Sequence, residues 1–198
     1  MNVYDFDHTI YDGDCTVDFY LFLLKRRPLL IRYIIIQTVG LLMYVIRVWD
    51  KTKAKQVFYR FLKGVSDIDK EIELFWQQNI HKIKKWYYEQ QQPSDVVISA
   101  SPYFLVNAAC KKINLQHVIA SEVDKLTGKY TGKNCYGEEK VSRFYEIFPG
   151  AHVTGFYSDS LSDSPLAKIS ENSFIVTKDT LHDWKEYEKS KRSAHGKQ

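Results

Sequence analysis

The sequence predicts an α/β protein: a doubly wound parallel sheet with an all-α segment inserted after its first strand. Three observations carry this expectation. In the second half of the chain, short β-branched runs alternate with helical patterns. A single strand-like stretch opens the chain, and residues 15–92 between the two read as helical almost throughout.

The opening strand is expected over Met1 to Phe6, followed by a polar turn containing Asp12-Gly13. Helical, apolar patterning then runs from Val17 to Leu24, and resumes after Pro28 over Leu29 to Trp49, Ala54 to Leu62 and Ile68 to Tyr88, with Ser66 and Asp67 as caps. Gln90 to Asp95, with its proline, breaks the pattern. The run Val96-Val97-Ile98-Ser99 that follows suits a strand buried on both faces. A helix over Tyr103 to Ile113, a strand over His117 to Ser121, a hairpin signal at Leu126 to Gly132, a helix over Glu138 to Phe148, and strands over Val153 to Tyr157 and Ser173 to Val176 complete the expected sheet. The division this implies is a core of residues 1–14 and 93–185, a cap of residues 15–92, and a basic tail of residues 186–198 that is frayed and solvated from Lys189 onward.

With 198 residues, the chain can build one generous domain or a core with an inserted lobe. A formal charge of +4 is too mild to argue for nucleic acid, and nothing in the composition calls for a protein partner. Cys15, Cys110 and Cys135 are odd in number and widely separated, which reads as reduced thiols of a cytoplasmic protein. Asp5 and Asp7 arrive too early for an apolar secretory region.

In the stretch YDFDHTIYDGD, a strand would point Asp5 and Asp7 the same way at its end. Two carboxylates so placed repel each other unless a cation compensates, although a plain polar turn would also account for the stretch. Ser99 ends the second strand, and Ala100 and Ser101 lead into a helix, which offers a hydroxyl and helix-start amides to an anion at the same sheet edge. Asp159 and Asp163 follow a later strand, and Lys140 starts a helix that can reach over that edge. Taken singly, these are an ordinary cap, a solvated loop and a surface charge. Their shared placement at strand ends is what argues for a site.

The order Asp5-x-Asp7-x-Thr9, strand-ending Ser99, Lys140, then Asp159 with Asp163 resembles the four motifs of the haloacid-dehalogenase-like superfamily of phosphohydrolases. The insertion after the first motif, with Val97-Ile98-Ser99-Ala100-Ser101-Pro102 and Gly137-Glu138-Glu139-Lys140-Val141, is similar to the phosphoserine-phosphatase-like subgroup. The resemblance implies Asp5 as a nucleophile forming an aspartyl-phosphate, Asp7 as general acid and base, and Thr9 holding the loop. It implies Mg²⁺ on the Asp5 carboxylate, the Asp7 carbonyl and Asp159, with Asp163 orienting its waters, and Lys140 and Ser99 with nearby amides neutralising the phosphoryl oxygens of a phosphate monoester. His8 stands where glycine or serine is more usual, so it either tolerates the turn or touches phosphate.

The segment Leu29 to Trp49 is nearly long enough to cross a bilayer and is flanked by Lys25-Arg26-Arg27 and by Lys51, Lys53 and Lys55. A lone crossing is excluded, because Ser99 must return to the sheet that carries Asp5. The segment therefore lies in a membrane interface, re-enters as a hairpin with Val17 to Leu24, or is buried in a soluble cap. The run Lys25 to Leu29 and the stretches around Asp159 and Asp163 are similar to bacterial phosphatidylglycerophosphate phosphatases of the superfamily. That likeness implies a lipid phosphate substrate and a peripheral place at the inner face of an anionic membrane. Asp14 either meets a substrate amine, as for a small metabolite such as phosphoserine, or caps the following helix. A non-catalytic membrane-associated binding protein is the third reading.

Overall fold

The protein is described here by a computed structural model covering residues 1–195. Six strands form one sheet in the order β3-β2-β1-β4-β5-β6, where β1 is Asn2–Tyr4, β2 Val96–Pro102, β3 His117–Ser121, β4 Val153–Ser158, β5 Ser170–Thr177 and β6 Thr180–Asp183. All neighbours are parallel except the edge pair β5 and β6. The expected doubly wound sheet is present, and β1 lies at its centre between β2 and β4. A switch point of this kind leaves a crevice beyond the strand carboxyl ends.

The period of two along the central strands builds a core on each face. Val3, Val96 and Ile98 pack on one side with Phe144, Phe156 and Leu166. Tyr4 and Val97 face the other side, where they meet residues of the inserted helices such as Phe75 and Trp76.

Five helices separate β1 from β2: α1 (Cys15–Arg26), α2 (Ile34–Val45), α3 (Lys51–Phe58), α4 (Ile68–Asn79) and α5 (Lys85–Gln90). Asp14, Asp50 and Asp67 cap α1, α3 and α4 with side-chain acceptors. The two chain segments joining insert and core run side by side, with the Asp12 amide on the Lys82 carbonyl at 2.9 Å and the Lys84 amide on the Ile10 carbonyl at 2.8 Å. The Trp76 indole N–H on the Leu105 carbonyl at 2.9 Å adds a third tie. Beyond β2 lie α6 (Tyr103–Lys112), α7 (Glu138–Ile147), α8 (Ser164–Ile169) and α9 (Trp184–His195).

Several expectations need correction. The first strand ends at Tyr4 rather than Phe6, because the chain turns at once into a loop in which the Ile10 and Tyr11 amides both donate to the Phe6 carbonyl. The helical stretch over Ile68 to Tyr88 is broken by a 3-10 turn, Ile80–Lys82, where the chain returns to the core. The apolar stretch Leu29 to Trp49 is divided into a 3-10 segment, Pro28–Tyr33, and α2, and only 11% of Pro28–Val45 is buried, so it is not an interior cap helix. The basic segment from Lys189 is helical through His195 instead of frayed, and residues 196–198 lie outside the described residues. The strand β6 was not expected at all. Cys15, Cys110 and Cys135 are free and buried.

Candidate active site

The loop after β1 carries Asp5 to Asp7 past the carboxyl edge of the sheet. The Asp5 amide still donates to the Tyr157 carbonyl at 2.8 Å, which seats Asp5 between β1 and β4. Phe6, Ile10 and Tyr11 are buried beneath the loop and anchor it to the core. His8 takes a left-handed conformation, φ +57°, in which histidine is one of the better-tolerated residues. Its amide reaches the Gly13 carbonyl at 2.9 Å, and its own carbonyl accepts from the Lys84 ammonium at 2.7 Å. His8 is thus the turn residue of the loop, and its side chain is exposed at the cleft.

Lys140, in the first turn of α7, is buried and donates to Asp5 Oδ1 and Asp163 Oδ2, both at 2.7 Å. Asp163 Oδ2 also accepts from the Ser158 hydroxyl at 2.8 Å. Thr9 is buried behind the cleft and takes the Asp159 amide on its hydroxyl oxygen at 3.0 Å, which ties the first loop to the loop after β4. The pairing of β2 with β3 shifts register between Ser99 and Pro102. In that irregular stretch Ser99 Oγ accepts the Ser101 amide at 3.0 Å, and the Ser101 hydroxyl donates to Asp7 Oδ2. Asp7 Oδ1 accepts the Cys15 amide at 2.7 Å. Asp14 accepts from the Thr16 and Val17 amides, both at 3.0 Å, so it caps α1 while also lining the cleft.

The candidate residues Asp5, Asp7, Asp14, Ser99, Ala100 and Ser101 therefore share one cleft of about 210 Å³ with Lys140, Asp159 and Asp163. Five aspartates there face Lys51, Lys55 and Lys140. Burial pushes Asp5 up to about 7, against the pull of Lys140 and with the support of the Asp163 and Asp159 carboxylates. Burial and the nearby Asp14 hold Asp7 above the usual carboxylate range, despite its bonds from Ser101 and Cys15. Asp159 is raised by burial, with His8 opposing. Burial alone would lower Lys140, but Asp5 and Asp163 hold it fully charged.

Among the described residues, no group of three or more His, Cys, Asp or Glu side chains is arranged to ligate a metal. The four aspartates Asp5, Asp7, Asp159 and Asp163 are accordingly not a four-carboxylate cage. The Asp7 carboxylate is engaged by Cys15 and Ser101, and that of Asp163 by Lys140 and Ser158. Asp5 gives only its Oδ1 to Lys140, so its second oxygen and the Asp159 carboxylate stand at the same cleft. Hard oxygen donors with uncompensated negative charge fit a divalent cation that keeps several waters.

Two residues read from sequence only as basic flanks of the apolar segment also belong to the cleft. Lys51 and Lys55, one turn apart on α3, bring the insert into the cleft: the Lys51 ammonium lies 4.0 Å from the Tyr136 ring centre, and Lys55 donates to the Ala100 carbonyl at 3.1 Å. Their four-residue spacing was the available signal, since it sets both on one helix face. Lys84 was missed. It is buried, and besides His8 it donates to the Lys178 carbonyl, joining the first loop to the far end of β5.

Comparison with known proteins agrees with this arrangement. A protein of unknown function from Bordetella pertussis Tohama I superposes with a TM-score of 0.70 at 20% identity, covering 87% of both chains. A phosphoserine phosphohydrolase-like protein from Francisella tularensis superposes with a TM-score of 0.54 at 13% identity, covering 90% of this chain and 88% of that one. Both share the fold. In sequence, a probable phosphatase of Mycobacterium tuberculosis is 32% identical over 92 residues, which is 42% of this chain and 32% of that relative's length. The haloacid dehalogenase-like hydrolase family matches residues 3–168, a span that includes Asp5, Asp7, Asp14, Lys51, Lys55, Lys140, Asp159 and Asp163, and the chain belongs to that family.

Proposed function

We propose that the protein hydrolyses phosphate monoesters through an aspartyl-phosphate on Asp5. The observation that carries the reading is the buried Lys140 bridging Asp5 and Asp163 in an acid-rich cleft at the sheet's carboxyl edge. Asp5 attacks phosphorus and the bond from phosphorus to the ester oxygen breaks. Asp7, raised by burial and so able to carry a proton, delivers it to that leaving oxygen. Asp7 then takes a proton from the water that attacks the acyl phosphate, which releases inorganic phosphate and restores Asp5. Lys140, Ser99 and the amides around Ala100 and Ser101 offset charge on the transferred oxygens, and Thr9 keeps the two acidic loops in register. A divalent cation, which we assign as Mg²⁺, would be held by Asp5, Asp159 and the Asp7 carbonyl with Asp163 behind them, and would neutralise phosphoryl charge.

The test is release of phosphate from an aryl phosphate with Mg²⁺ and with EDTA. Activity is expected only with the metal, and Asp5→Asn should remove it together with covalent trapping of phosphate. Wild-type-like turnover by Asp5→Asn would overturn the mechanism, and an unchanged metal requirement in Asp159→Asn would overturn the ligand assignment.

For the substrate, we infer a lipid phosphate such as phosphatidylglycerophosphate, met at the inner face of an anionic membrane. Supporting it is the stretch Pro28–Val45, apolar and largely uncovered, with Lys25, Arg26, Arg32, Arg47 and Lys53 exposed beside it. Apolar area gains about 25 cal/mol per Å² on leaving water, and each basic residue adds about 1 kcal/mol near anionic lipid. Binding to anionic liposomes should weaken with salt and with the exposed Lys25, Arg32 and Arg47 changed to Glu, whereas Arg26 and Arg27 are held by the buried Glu71. Indifference to such liposomes would favour a small soluble substrate such as phosphoserine, although Asp14 is already engaged as a helix cap.

A further inference from the structure

The acidic cleft shares Lys51 and Lys55 with a second depression. Between α2 and α3 runs a groove of about 390 Å³. On the α2 side its wall is made by Ile34, Gln37, Leu41 and Tyr44, spaced three and four residues apart, and on the α3 side by Ala54 and Phe58. The two helices pack closely at Gly40, where a Cβ would lie 2.9 Å from Val57 Cγ1. Lys51 and Lys55 line this groove and line the carboxylate cleft as well. The ammonium of Lys55 is spent on the Ala100 carbonyl beside Ser99, so its polar end serves the cleft while its methylene stem serves the groove.

We propose that the α2–α3 groove is a substrate subsite that receives an apolar chain of a phosphate monoester whose phosphoryl group lies on Asp5. The inference rests on the phosphatase reading and extends it to chain recognition. The occupant follows from continuity: one molecule that is anionic at one end and apolar at the other meets, in order, Asp5 and Lys140, then Lys51 and Lys55, then the walls of Leu41 and Phe58. A chain in the groove contacts these walls equally in ground and transition states, so its effect falls on KM rather than on kcat.

The experiment compares ethyl, butyl, hexyl and octyl phosphate as dissolved monomers, without lipid. The expected result is a rise in kcat/KM of about two- to fourfold per added methylene, carried by KM. Ala54→Phe, which fills the groove, should cut the ratio of octyl to ethyl kcat/KM at least tenfold. Because the ratio is internal to each preparation, partial loss of folded enzyme does not distort it, and Leu41→Trp gives a second obstruction from the opposite wall. Equal kcat/KM along the series, with ethyl phosphate turned over, overturns the subsite and leaves the phosphatase reading intact. A chain-length effect seen only when anionic vesicles are added also overturns it, by assigning the selectivity to the membrane surface. Failure to hydrolyse any of the esters with Mg²⁺ removes the phosphatase reading and this inference with it.

Discussion

Lys140 and Ile35 invert the usual rule for where charge and oil belong. The lysine is 2% exposed in the core of the sheet edge, while the isoleucine is 77% exposed on α2. Around Lys140 the inversion is compensated locally: two carboxylates at 2.7 Å and the Ser158 hydroxyl complete the charge in place. Around Ile35 nothing among the described residues covers the side chain, and Leu29, Leu41 and Val45 are likewise more than half exposed. The comparison teaches that the buried exception is self-contained, whereas the exposed one is left open to solvent by the described residues, and this is the observation on which the proposed lipid contact rests.

The strongest way to break the comparison is to remove the compensation in the core. Lys140→Met leaves Asp5 and Asp163 buried without their cation and should destabilise the fold by about 3–5 kcal/mol in urea unfolding. Stability equal to wild type would show that the carboxylates do not depend on the lysine.

A smaller effect is expected at Asp95, fully buried at the start of β2, where it accepts the Gln92 amide at 2.9 Å. Burial pushes its carboxyl up to about 6. A folded-state value above the unfolded one near 4 means that folding takes up a proton between those values. Stability therefore falls as pH rises from about 4 to about 6 and stays lowered above. Asp95→Asn should stabilise the protein by about 1–2 kcal/mol at pH 7.5 and by little at pH 4, as read from paired denaturation curves. No gain at pH 7.5 would show that the charged carboxyl is well solvated. The cap of α1 comes next: Asp14→Ala should cost about 1 kcal/mol, and full retention of stability would return Asp14 to a purely substrate-facing role.

Least affected should be α2. Ile35→Gln with Leu42→Gln ought to leave stability within about 0.5 kcal/mol, while vesicle binding drops. A large loss of stability would mean that these side chains are packed against the chain itself, and the contrast with Lys140 would disappear.

Much of this architecture was legible in the sequence because it depends on neighbours only a few residues apart. Short β-branched apolar runs marked β2 to β5, and acidic groups directly after the opening strand and after β4 placed Asp5, Asp7, Asp159 and Asp163 at strand ends. The apolarity of Leu29 to Trp49, relieved by few polar residues, likewise announced an element that is not an ordinary amphipathic helix. What the tertiary structure decided involves partners far apart along the chain. The edge strand β6, Thr-Leu-His-Asp, has no strong strand signature and exists because β5 offers it an antiparallel partner. Helix α4 stops at Asn79 because the chain must return beside Ile10 to Asp12, a demand that no local propensity records. Lys51 and Lys55 read as basic flanks of the apolar segment until the insert folds back over Ala100, and the bonds that Cys15 and Ser101 make to Asp7 have no trace in the local sequence. Whether α2 is covered could not be read from its own residues either, since burial depends on which surfaces the rest of the fold has left to cover it.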